Sequence, residues 1–414
     1  MLNIDQENIL KDINKFITSD SKEFIIDGSG GTGKSYLISE LLKDKDKYIH
    51  DYDDIIITST TNKACTALQE YLGTDVSTIH SYLGLSVREN YSNGSVELKP
   101  NGRWCVKDNI ILIIDECSMI DSVLFDYIHK GLCNSKIIYV GDMYQLAPIK
   151  NSISPVYEQG IEVHSLTINM RQENQELIDI CNMAKEAVRN NTPLDIKYSS
   201  VINKANEEDF INSFKNISNT RVLNYTNKSV DVYNSYIHNY VKTNQDLYST
   251  NEVYILNNVC HTNGNVIFGH TEDEVIIKEL STTELTLEVN KVGILKYVDC
   301  VLYNLSTGRE LNAKLMLDRQ AYKDCLNRLA KLKDWTSYFY LKNNIPDLIS
   351  KDACTVHKAQ GSSLDDVYID LTDLSKCTVP STFYRLFYVA VSRARKRIFF
   401  FGSLKEKYGV IHDN

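Results

Sequence analysis

The stretch Phe24-Ile25-Ile26-Asp27-Gly28-Ser29-Gly30-Gly31-Thr32-Gly33-Lys34-Ser35-Tyr36-Leu37-Ile38 decides the fold. Gly28, Gly33, Lys34 and Ser35 satisfy the pattern G-x-x-x-x-G-K-[ST]. Phe24-Ile25-Ile26 reads as a buried strand, and Tyr36-Leu37-Ile38 with Leu41-Leu42 as one face of a helix. A loop in that context aims backbone N–H groups and a helix N-terminus at anionic oxygens. Gly28, Gly31, Thr32 and Gly33 would wrap the phosphates, Lys34 would reach the β- and γ-phosphates, and the Ser35 hydroxyl would ligate Mg²⁺. The ligand implied is a nucleoside triphosphate.

Two further strands deliver polar residues to match. Ile110–Ile114 is a continuous apolar run, as a central parallel strand buried on both faces requires, and it ends in Asp115-Glu116. Two adjacent carboxylates at a sheet end are costly without a partner. Beside a phosphate loop, Asp115 would hold Mg²⁺ and Glu116 would polarise the attacking water. Ile137–Val140 leads to Gly141-Asp142-Met143-Tyr144-Gln145, where Gln145 could sense the γ-phosphate.

Outward from these, Ile9, Leu10, Ile13, Phe16 and Ile17 predict a helix over 5–17 with Asp5 as N-cap and Gln6 as a solvated first-turn residue. Ile55–Ile57 runs through Thr60-Thr61-Asn62 into a helix, a turn rich in hydroxyls and amides suited to a phosphate backbone. Residues 86–107 interrupt the α/β rhythm; Asn93-Gly94 signals a hairpin and Trp104 lies beyond it. A helix is predicted over about 174–189, and Val222–Asn227 is another strand entering a helix. From 251 to 316 the pattern is β-rich, with a turn signal at Asn263-Gly264, and predicts a small inserted barrel or sheet. Residues 318–333 are helical in spacing. Cys354–Ser363 then precedes the strand Val367–Ile369, and a helix through Phe383–Val391 ends in Ser392-Arg393 before a last strand, Ile398–Phe401.

A chain of 414 residues has room for two or three domains. No run of 18 apolar residues occurs, and Met1–Asp5 lacks a signal-peptide pattern, so a cytoplasmic protein without a membrane association is expected. The ten cysteines are scattered singly, which predicts reduced thiols and no zinc site. A net charge of −9 argues against a uniformly basic surface and leaves room for a local groove.

The motif set resembles superfamily 1 helicases of the 5′-to-3′ (B) branch, particularly phage Dda-like and bacterial RecD-like enzymes. The phosphate loop, Asp115-Glu116 and Gly141-Asp142-x-x-Gln145-Leu146-x-Pro148 match the first core domain. Asn169-Met170-Arg171-Gln172, Thr355–Gly361 and Tyr388-Val389-Ala390-Val391-Ser392-Arg393 match the second. The resemblance implies an α/β architecture of two RecA-like P-loop NTPase domains, parallel sheets flanked by helices, with small β-rich insertions in each. Domain 1A would span 1–165, with a pin insertion at about 85–108; domain 2A would combine 166–244 and 346–414, and a β-barrel-like accessory domain 2B with a helical end would span 245–345.

The same resemblance implies ATP and Mg²⁺ as cofactors, Arg171 and Arg393 as arginine fingers, and Gln6 as an adenine contact. DNA contacts carry over to Thr60, Thr61, Asn62, Thr78, His80, Thr226, Asn227, Thr355, His357 and Lys358, and Tyr91 or Trp104 would stack on the junction base pair. Expected partners are single-stranded and forked DNA, with single-strand-binding or replication and recombination proteins, for a chain acting as a monomer. An RNA helicase, or an ATP-gated DNA-binding accessory protein without unwinding, are the competing readings.

Overall fold

A computed structural model of the chain describes residues 2–48, 51–148, 153–170, 174–217, 219–243, 246–250, 252–262 and 266–412. It divides into two compact units. The first comprises Met1–Ser86, Leu98–Val230 and Cys354–Asn414; the second comprises Val87–Glu97 and Asp231–Ala353.

The first unit is built on two larger sheets, of six and five strands, among the described residues. In the first sheet the order is Val163–Leu166, Glu23–Gly28, Lys136–Gly141, Ile110–Asp115, Asp54–Ser59, Ser77–Thr78, and every neighbouring pair is parallel. The central strand shows why an unbroken apolar run was needed. Ile111 and Ile113 enter the core on one face, and Ile110, Leu112 and Ile114 enter the core on the other. Side chains alternate across a strand, so only a strand covered on both sides can bury all five. The first helix packs Ile9, Ile13, Phe16 and Ile17 into the same core as Ile111 and Ile113.

The second sheet has the order Ile202–Lys204, Ala394–Phe401, Leu364–Asp370, Thr220–Asn224, Ala353–Thr355. The helices Gln175–Asn190 and Pro380–Val391 contribute Leu177, Ile180, Ala184, Phe383, Phe387 and Val391 to its core. Two parallel-sheet α/β bodies therefore carry the motifs, in agreement with the expected fold class.

The second unit is built on an antiparallel sheet in the order Leu285–Val289, Gly293–Asn304, Glu274–Leu280, Val253–Leu256, Leu348–Ser350, with Glu310–Met316 also on Gly293–Asn304. The 12-residue strand Gly293–Asn304 pairs through its first half with Leu285–Val289 and through its last five residues with Glu274–Leu280. Helices Arg319–Leu332 and Trp335–Asn344 follow. The unit's second segment starts at Asp231, inside the helical stretch that begins at Asn227. The turn signal at Asn263-Gly264 lies outside the described residues.

The expected hairpin is present as Leu85–Glu89 and Val96–Pro100, and its tip, Val87–Glu97, belongs to the second unit. There Tyr91 meets Phe339 edge-on at 5.2 Å between ring centroids, and Glu89 accepts from Asn343 Nδ2 at 3.0 Å. Gly94, at φ +74°, lies so close to Trp335 that a Cβ would sit 2.5 Å from the indole. Trp104 is not on the hairpin. It packs in the first unit, edge-on to Tyr127 at 5.6 Å, half-buried against the core that includes Leu83 and Leu112.

Candidate active site and nucleic-acid interface

The phosphate loop joins the strand Glu23–Gly28 to the helix Lys34–Lys43. Gly31 and Gly33 adopt φ +92° and +83°, a region open to glycine at little cost. A Cβ on Gly33 would also lie 2.4 Å from Gln6 Nε2. Lys34 Nζ donates to the carbonyl oxygens of Gly28 at 2.6 Å and Ser29 at 3.1 Å, which holds its ammonium over the loop. The buried Thr32 closes the loop by donating to Ser29 O at 2.9 Å.

Gln6 is buried against this loop, not solvated. The helix N-cap is Asn3, not Asp5: Asn3 Oδ1 accepts from Gln6 N and Gln6 Oε1 accepts from Asn3 N, a reciprocal capping box. Asp5 instead accepts from the backbone N–H of Thr167 at 2.8 Å and from its hydroxyl. Gln6 Nε2 faces the carbonyls of Thr32 and Gly33 at 3.4 and 3.5 Å, so its amide edges the loop.

Asp115 ends the central strand. Burial, and then the neighbouring Glu116 carboxylate, push its carboxyl up to about 7, while Lys34 opposes the rise. Glu116 follows in a left-handed conformation, φ 55° and ψ 41°, which costs a non-glycine residue about 1–2 kcal/mol and is tolerated where structure enforces it. Its Oε2 is buried without a hydrogen-bond partner among the described residues. Two crowded carboxylates, one with an orphaned oxygen, beside a lysine form a donor set that fits a hard divalent cation.

Gln145 is buried; its Nε2 donates to Asp142 Oδ2 at 3.2 Å, and its Oε1 is without a partner among the described residues. Sequence reasoning missed what comes to this loop and to the phosphate loop from the second sheet's helices. Lys185 Nζ donates to Ser29 Oγ at 2.8 Å, Tyr388 Oη to Asp142 Oδ2 at 2.6 Å, and Arg385 Nη1 to Gln145 O at 2.7 Å. Ser29, Gly30, Asn169, Lys185, Tyr388 and Ser392 line one cavity of about 110 Å³. The only signal available beforehand was a lone cation, Arg385, inside an otherwise apolar helix.

Arg393, beside cavity-lining Ser392, is buried and held by its own domain: Nε donates to Val389 O at 3.0 Å, Nη1 to Ser362 O at 3.1 Å and Nη2 to Ser392 Oγ at 2.8 Å. Arg171 lies outside the described residues. Met170, just before it, donates its N–H to Gly31 O of the phosphate loop at 2.7 Å.

Three of the positions proposed for DNA share one local geometry. Thr61, Thr78 and Thr355 are each the N-cap of a helix, and each Oγ1 accepts from a backbone N–H three residues on. An N-cap acceptor keeps its hydroxyl hydrogen, which can donate to a phosphate oxygen. Asn62, Asn227 and His357 are exposed, and Lys358 is half-buried. His80 is half-buried, and burial pulls its imidazole below the usual histidine range despite Asp121.

Two threonines are turned inward. Thr60 Oγ1 donates to Glu116 O at 3.2 Å, tying the polar turn to the strand end that carries Glu116. Thr226 Oγ1 donates to the buried Asp373 at 2.8 Å, which leaves Asn227 as the outward member of that pair.

Comparison with known proteins agrees with the geometry. Residues 13–151 match the AAA domain family and residues 352–400 the UvrD-like helicase C-terminal domain. The chain is 24% identical to the ATP-dependent DNA helicase dda of Enterobacteria phage T4, over 95% of this chain and 98% of that protein. It is 33% identical to RecBCD enzyme subunit RecD of Buchnera aphidicola from Acyrthosiphon pisum, over 31% of this chain and 23% of that protein. In fold it is similar to a Bacteroides Pif1 helicase solved with ADP-AlF3 and single-stranded DNA, at a TM-score of 0.54 and 16% identity over 99% of this chain and 94% of that one. An AAA domain match that holds the phosphate loop and paired acids is thus followed along one chain by a UvrD-like helicase C-terminal domain match, and the chain is similar over nearly its whole length to the phage helicase dda.

Proposed function

We propose that this chain is an ATP-dependent DNA helicase that moves 5′ to 3′ on single-stranded DNA and separates duplex ahead of it. The observation that carries the reading is that helices on the second sheet reach two loops of the first: Lys185 donates to Ser29 on the loop that holds Lys34, and Tyr388 and Arg385 reach Asp142 and Gln145 on the loop after strand Lys136–Gly141. ATP would lie along Gly28–Ser35, with Gln6 at the adenine. Mg²⁺, held by Ser35 and Asp115, would neutralise β- and γ-phosphate charge when bound.

Glu116, with its unpartnered oxygen, accepts the proton of the attacking water. Gln145 offers its free Oε1 to the water or its amide to the γ-phosphate. Arg393 and Arg171 are the candidate fingers, and a guanidinium brought to the γ-phosphate is typically worth about 10³–10⁵ in rate. Because these cations belong to the second domain, hydrolysis requires the two sheets to close, and closure moves the DNA contacts. Thr61, Asn62, Thr78 and His80 on one domain, and Asn227, Thr355, His357 and Lys358 on the other, would hold the strand by its backbone, which needs no basic surface. The domain limits proposed are a first core ending near 165 and an accessory domain over 231–353 bearing the hairpin tip.

ATP hydrolysis measured alone, with poly-dT and with poly-U tests this reading. Strong stimulation by poly-dT is expected. Equal or greater stimulation by poly-U would favour an RNA helicase, and none by either would remove the motor.

A further inference from the structure

Helix Pro380–Val391 is apolar along most of its length, yet it carries Arg385 and Tyr388 one turn apart. Both reach the loop after strand Lys136–Gly141. Tyr388 is wholly buried and donates its hydroxyl hydrogen to Asp142 Oδ2 at 2.6 Å. The same oxygen receives Gln145 Nε2 at 3.2 Å. Arg385 Nη1 donates to the main-chain carbonyls of Met143 and Gln145. Thus Arg385 holds the Gln145 backbone, and Tyr388 shares a carboxylate oxygen with its side chain. Gln145 Oε1 is left without a partner among the described residues.

Packing does not require this arrangement. Phenylalanine would fill the same space as Tyr388, and the hydroxyl adds one short bond to a carboxylate, among the stronger bonds a neutral donor makes. The helix that presses this donor on Asp142 ends two residues before Arg393. The contact between the two sheets and the Gln145 amide thus share one carboxylate oxygen, Asp142 Oδ2.

We infer that Tyr388, backed by Arg385, is a positioning residue for Gln145: it turns the amide through Asp142 so that the γ-phosphate sensor is set only when the second domain's helix is docked. The inference rests on the reading of Gln145 as that sensor. A purely structural Tyr388 would lower stability without regard to Gln145. A positioning Tyr388 would lose its effect once Gln145 is gone.

The test is a double-mutant cycle on DNA-stimulated ATP hydrolysis with Tyr388→Phe, Gln145→Ala and the pair. Tyr388→Phe is expected to lower kcat about ten-fold with KM for ATP within about two-fold, and to add no further loss in the Gln145→Ala background. An unchanged kcat in Tyr388→Phe, or an equal proportional loss in both backgrounds, would overturn the inference. Gln145→Ala alone tests the underlying reading: if its kcat matches the parent, the sensor assignment fails first. Should Tyr388→Phe not fold, Arg385→Lys enters the same cycle, with the same sub-additive loss expected and the same additive result overturning.

Discussion

Lys185 Nζ donates to Ser29 Oγ at 2.8 Å, a hydrogen bond between a helix on the second sheet and the phosphate loop on the first. The residues are 156 positions apart in the chain. This ammonium adds positive charge to a loop that already holds Lys34. Hydrogen bonds to charged groups contribute about 1.5–3 kcal/mol. Lys185→Ala is therefore expected to raise KM for ATP by about ten-fold or more, and Lys185→Arg to recover most of it. An unchanged KM in Lys185→Ala would remove the residue from nucleotide binding.

Glu116→Gln keeps size and polarity and removes the base. DNA and ATP binding should persist, while turnover falls by at least about 10²-fold, the lower range for a lost general base. Single-turnover hydrolysis and a DNA-binding titration on the same protein check this. Persistent hydrolysis would end the assignment of Glu116.

Asp27 makes the interface beneath the loop sensitive to pH. Burial, then the nearby Asp142 carboxylate, raise its carboxyl from 3.8 to about 6, against the N–H of Met143 and the charges of Lys34 and Lys185. The folded state thus favours protonated Asp27. Its stabilising contribution is complete below about pH 4, declines between about pH 4 and 6, and is absent above that. Asp27→Asn mimics the protonated form and can still accept from Met143 N, a bond of 2.7 Å in the parent. It should stabilise the protein above pH 6 by up to about 3 kcal/mol, with little effect near pH 4. Thermal melts at both pH values decide it; equal shifts would contradict the raised carboxyl.

Tyr91 and Trp104 should separate cleanly. Tyr91 is 54% exposed at the hairpin tip on Phe339, whereas Trp104 is half-buried against Tyr127. Tyr91→Ala is expected to slow duplex separation several-fold with DNA-stimulated hydrolysis unchanged. Trp104→Ala should instead cost stability, about 2–4 kcal/mol, from lost packing. The reverse pattern would return the pin role to Trp104.

What could be read in the chain was what neighbouring residues decide together. The phosphate loop, the Ile110–Asp115 strand and the Asn93-Gly94 turn are local, because backbone conformation and side-chain period constrain them within a few residues. The reciprocal pair Asn3 and Gln6 was equally local, three residues apart, and assigning the N-cap to Asp5 overlooked it. Contacts such as Arg385 to Gln145 and Thr60 to Glu116 join residues 240 and 56 positions apart. No period marks them, since they exist only once two strand ends or two sheets meet. Trp104 misled for the same reason: proximity to a turn in sequence did not place the indole at its tip.

The most direct measurement is ATP-driven strand separation on two partial duplexes, one with a 5′ single-stranded tail and one with a 3′ tail. Unwinding of the 5′-tailed substrate alone is expected. Unwinding only from the 3′ tail would contradict the direction of travel. DNA-stimulated hydrolysis with neither substrate opened would contradict the helicase itself.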